Sequence, residues 1–70
     1  MWKLNHTSFE SGFTTLDWPR NREEALESFE HWKNEGLYGL LTLYSTSGKK
    51  VRDLYRGKDE TKEMNDEEET

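Results

Sequence analysis

Histidine is the side chain whose ordinary titration lies nearest neutrality, so the search for chemistry begins at His6 and His31, the two the chain carries. Glu27 and Glu35 stand four residues either side of His31, a spacing that lays all three along one side of a helix and would suit a surface metal site. The competing reading is a solvated helix face with weak Glu–His contacts. The absence of cysteine and the distance to His6 favour it, so no metal is expected. The serines fall at 8, 11, 28, 45 and 47, mostly in turn-like stretches, and none sits in a nucleophile-elbow pattern. Ser45-Thr-Ser-Gly-Lys-Lys has the ending of a phosphate-binding loop, but Leu43 stands where the loop needs its first glycine and Lys50 where it needs a hydroxyl. Carboxylates are plentiful, yet so small a body leaves little room for a pocket of the order of several hundred Å3 in which one pKa could be raised. The expectation is a protein that is not an enzyme and carries no cofactor.

Two charged constellations remain. Lys49, Lys50, Arg52 and Arg56, with Tyr55 beside them and Tyr44 across a turn, mix cations with rings and could hold phosphates and stack a base. The same cations would serve equally to guard a sheet edge against aggregation. Glu23, Glu27 and Glu30 project within about 60° of one another on a helix, which makes an acidic face for a basic partner or, with an acidic tail, an imitation of a phosphate row.

The elements that must position these groups are legible from pattern. "WKLNHTSF" places Trp2, Leu4 and His6 on one side, Glu10-Ser11-Gly12 is a turn signal, and "FTTLDW" alternates Leu16 with Trp18, which together predict an N-terminal hairpin. Pro19 stops that hairpin because it lacks the N–H of a ladder. Asn21 is a cap with Glu24 three residues on, and Ala25, Leu26, Phe29 and Trp32 share one stripe. Gly36 supplies a left-handed stop, so the helix is expected from Arg22 to Glu35. "LYGLLTLYS", the turn Thr46-Ser47-Gly48 and "KKVRDLYR" predict a second hairpin. The fold class is therefore α+β. An antiparallel β-β-α-β-β sheet carries one helix on one face and buries Trp2, Leu4, Leu16, Trp18, Leu26, Phe29, Trp32, Leu41, Leu43 and Leu54.

Seventy residues permit one domain, and a core this small leaves only a narrow stability margin. The net charge of −5 is not spread evenly. Met1 to Gly57 holds eight Lys/Arg against eight Asp/Glu, whereas Lys58 to Thr70 holds two against seven. Residues 1–57 are accordingly expected to form a compact, electrically neutral domain. Residues 58–70, whose one apolar side chain is Met64, are expected to form a disordered acidic tail. No stretch has the length of a signal peptide's apolar core or of a membrane span, and cysteine is absent. The chain is thus read as cytoplasmic with no membrane partner, and Asn5-His6-Thr7 as a sequon without meaning.

"REEALESFEHW", an amphipathic helix after one strand and before a glycine and another, resembles the helix of small phage-encoded proteins that bind and inhibit host enzymes. The likeness covers that helix alone and transfers no functional residue. It implies a stand-alone regulator or inhibitor. The leading expectation is a small protein-interaction module that binds another protein through a sheet edge or a charged face, as a monomer or an edge-strand dimer. The alternative is a nucleic-acid-binding module using the basic hairpin, and a weaker one is a DNA mimic built on the acidic stripe and tail. The tail would either shield the basic hairpin or keep the domain in solution.

Overall fold

The computed structural model describes residues 1–36 and 38–65. The chain runs β1 (Lys3–Ser8), β2 (Thr14–Asp17), α1 (Arg22–Asn34), β3 (Gly39–Tyr44), β4 (Lys50–Arg56) and β5 (Thr61–Asn65). The strands form one antiparallel sheet in the order β2-β1-β3-β4-β5. Both β2 and β3 pair with β1, so α1 carries the chain from one side of β1 to the other. Among the described residues no helix is long and apolar enough to cross a membrane.

The helix begins where the sequence places it. The Asn21 side chain accepts from the Glu24 N–H at 2.9 Å, and Glu23 and Glu24 stand at the positive end of the helix dipole. Glu24 reaches back to the Arg20 N–H at 3.2 Å, one residue further than a capping box. Helical residues end at Asn34, Glu35 caps, and Gly36 turns out with φ 77°.

Residues directly opposite in antiparallel strands share a face, so the register sorts every strand side chain. Leu4 faces Leu43, His6 faces Leu41, and Leu41 faces Leu54; these line the side that α1 covers. Ala25 and Phe29 descend from the helix onto them, and with Val51 they complete the buried cluster. Trp2, Leu26 and Trp32 pack half-buried at its margin. His6 is buried there as well, its ring 4.0 Å from that of Trp32. Gly39 lies where β1 and β3 approach so closely that a Cβ would run into the Thr7 carbonyl. A bulge opposite Leu43 and Tyr44 turns both Val51 and Arg52 to the helix side, breaking the alternation that β4 otherwise keeps.

The α+β class, an antiparallel sheet with one helix, is as expected, and two details are corrected. Leu16 and Trp18 are not core: Leu16 pairs with Asn5 on the uncovered face, and both remain about half exposed. Their alternation was sound, but a strand with apolar side chains on one parity does not say which face that parity meets. The four-strand sheet acquires a fifth strand, because Thr61–Asn65 lie along β4 where the sequence predicts a tail from Lys58. Gly57 turns the chain by donating its N–H to the Glu60 carbonyl at 2.8 Å. The remainder of the expected tail, 66–70, lies outside the described residues.

Candidate interaction surface

The alternation of β4 distributes the basic hairpin over both faces of the sheet. Arg52 points to the helix side, with its guanidinium 5.9 Å from the Phe29 ring centre and Nη1 3.7 Å from a Glu30 carboxylate oxygen. Arg56 donates from Nη1 to the Lys33 carbonyl at 3.1 Å, at the end of α1 where carbonyls lack helical partners. Lys33 in turn reaches the Glu63 carboxylate at 3.0 Å, tying the helix to β5. These two arginines therefore fasten the helix to the sheet.

Tyr44, Lys50 and Tyr55 belong to the opposite, uncovered face. The Lys50 ammonium lies 3.2 Å from Asp53, and Asp53 also accepts from the Thr42 hydroxyl at 3.4 Å. Lys49 is exposed in the β3–β4 turn, where its carbonyl accepts from the Ser45 N–H at 2.8 Å. The six residues of the expected basic cluster are thus divided between the two faces and the turn.

The acidic stripe does come together. Glu23, Glu27 and Glu30 surround Leu26 and His31 on the outer side of α1, around a shallow depression of about 550 Å3. Glu30 is drawn toward Arg52, so the row is partly neutralised from within the domain. Among the described residues, no group of three His, Asp or Glu side chains is placed to hold a metal ion.

What the sequence did not reveal is the content of the uncovered sheet face. Register places Leu16, Leu40, Tyr55 and Met64 on it, and all four are exposed. Phe9 joins them at one end: its ring meets Tyr38 edge-on at 5.4 Å and lies 5.7 Å from Tyr55. At the other end, Tyr44 carries the Lys3 ammonium over its ring at 4.9 Å. Trp18, 54% exposed, stands across a cleft from that pair. Lys3, Lys50 and Lys62 are the cations whose strand positions lie on this face, and Asp53 is its acid. Two of these lysines have acidic partners, Lys50 in Asp53 and Lys62 in Glu60 at 3.6 Å, which leaves Lys3 as the cation of this aromatic face with no acidic partner among the described residues, while the outer side of the helix is acidic. A period-two count of both strand parities could have found it, since Lys3, Asn5 and Thr7 are matched across the sheet by Leu40, Thr42 and Tyr44.

Compared with models of known protein families, with curated protein sequences and with solved structures, the chain has no significant match.

Proposed function

We propose that this chain is a non-enzymatic interaction module that docks another protein on the helix-free face of its sheet. One observation carries the reading: Leu16, Leu40, Tyr55 and Met64 all stand exposed on the same face, with Phe9 at one end. Exposed apolar side chains gathered on one surface mark interaction sites, and rings and methionine enriched over acids are the composition of interface centres. This replaces the sheet edge or charged face as the contact surface. A stand-alone cytoplasmic regulator or inhibitor of its partner is the role that such a domain suits.

A second reading, nucleic-acid binding, is favoured by Lys3, Lys50 and Lys62 standing among the rings of that face, two of them paired with Asp53 and Glu60. The chain's net charge of −5 weighs against it, because nucleic-acid affinity rests chiefly on neutralising phosphates. Photo-cross-linking separates the readings. A benzophenone amino acid at Leu40 should yield a discrete, nuclease-resistant protein adduct in extract of the cells that make the chain, and the same group at Glu27 should not. Adducts from position 27 alone, or loss of the adduct on nuclease treatment, would refute the reading.

A further inference from the structure

The helix-free face has two aromatic ends, and they differ. At one end the Phe9 ring meets Tyr38 edge-on and Tyr55 at a tilt, so each ring already has an aromatic neighbour. At the other, Trp18 has no ring partner among the described residues and borders an open cleft of about 360 Å3 with Tyr44 and Lys3. The cleft stands on fixed backbone. Tyr44 and Lys3 are register partners at the paired ends of the inner strands β3 and β1, and buried Pro19 sets the chain direction just after Trp18. The far wall is the Ser45–Lys49 turn, closed by Ser45 N–H to Lys49 at 2.8 Å and Gly48 N–H to Ser45 at 2.9 Å. Among the described residues Lys3 is the one charged side chain on the lining, and no carboxylate there is paired with it.

We infer that this cleft is the anchor point of the surface, and that it takes one large apolar or aromatic side chain of a partner protein with a carboxylate next to it. The inference rests on the docking face proposed above. Exposed tryptophan beside a cleft is the usual chemistry of an interface hot spot, and rings held by rigid backbone lose little freedom when a partner arrives. Charge complementarity selects the neighbour. A carboxylate beside the inserted side chain meets Lys3, whereas a basic neighbour would meet an unopposed ammonium. A second copy of this chain suits the cleft poorly, since its acids on this face, Asp53 and Glu60, are already paired with Lys50 and Lys62 and leave none for Lys3.

The test uses the full chain and defined probes. N-acetylphenylalanine, with its carboxylate, and N-acetylphenylalaninamide, without it, are titrated while backbone and indole N–H signals are followed by NMR. The acid should bind in the millimolar range with saturable shifts at Trp18, Ser45 and Gly48, and about two- to fivefold more tightly than the amide, the worth of one exposed ion pair. Trp18→Ala should abolish those shifts, and Lys3→Gln should leave them while equalising acid and amide. Equal binding of the two probes by the unaltered chain, or no shift at the cleft, would overturn the inference. Shifts confined to Leu16, Leu40 and Met64 would also overturn the anchor while leaving the docking face intact. Shifts confined to the outer side of α1 would remove both. A twelve-nucleotide oligothymidylate that displaces the acid and binds more tightly would reassign the cleft to single-stranded nucleic acid, against the protein anchor proposed here.

Discussion

The two faces of this sheet are built from the same strands and do opposite work. Under the helix, Leu4, Leu41, Leu43 and Leu54 are almost wholly removed from water, closed by Phe29 and Ala25 from above. On the other side, one residue along each strand, Leu16, Leu40, Tyr55 and Met64 stay exposed, with no layer over them among the described residues. Apolar character is therefore a poor guide to what holds this domain together, and coverage is the better one. The covered face supplies stability; the uncovered face has apolar side chains that folding leaves unburied, which is the physical ground for giving it to a partner.

That contrast can be broken most severely from the covered side. Phe29→Ala removes the largest fully buried side chain and should cost about 3–5 kcal/mol, enough to leave so small a domain largely unfolded at 37 °C. Urea denaturation reads the loss; a change below about 1 kcal/mol would mean that Phe29 does not centre the core. Gly39→Ala attacks the same layer through the backbone. Its new Cβ meets the Thr7 carbonyl, which cannot swing aside without parting β1 from β3, so a cost of about 2–3 kcal/mol is expected. A gain in stability, the usual result of Gly→Ala at an unstrained site, would show that the strands separate more readily than their register implies.

How much of this was readable from the chain differs element by element. The helix was legible almost to the residue, because Asn21, Glu24 and Gly36 mark its ends chemically and Ala25, Phe29 and Trp32 repeat at its period. The hairpins were legible as hairpins. The side of β2 was not, since Leu16 and Trp18 show where apolar side chains alternate and nothing local states which face the helix will cover. The division of the basic residues was hidden for a related reason: Lys50 and Arg52 share a strand parity yet end on opposite faces, because the bulge at Val51 breaks the alternation and is invisible in composition. β5 is not legible because residues 58–70 have almost no apolar surface to bury, which is the usual mark of a tail. All five residues of β5 stay exposed, and the strand forms on backbone pairing with β4 and on the Glu63–Lys33 contact.

The split of the cations gives a finer comparison. Arg56→Met removes a charged donor to the Lys33 carbonyl, although that carbonyl keeps the Gly36 N–H at 3.2 Å, so about 1 kcal/mol should be lost. Lys50→Met, on the uncovered face, breaks a part-buried contact to Asp53, which keeps the Thr42 hydroxyl, and should cost about 0.5 kcal/mol. Parallel thermal melts decide the order. Were Lys50 the costlier of the two, the assignment of Arg56 to fastening the helix would be wrong.

The smallest effect on stability belongs to the uncovered face itself. Leu16 and Met64 stand on the outermost strands, 46% and 53% exposed, and neither belongs to the buried cluster. Threonine keeps strand propensity at both sites while removing most of the apolar surface. Leu16→Thr and Met64→Thr should each therefore shift stability by no more than about 0.5 kcal/mol, the range of surface substitutions. The pair should nevertheless lower the yield of the protein adduct formed from position 40, because a docking face loses affinity when its apolar rows are thinned even where the fold is indifferent to them. If stability falls by 2 kcal/mol instead, those side chains serve the fold and the two faces differ only in degree. If stability and adduct both stay unchanged, Leu16 and Met64 lie outside the contact, which must then be confined to the central strands and the two aromatic ends.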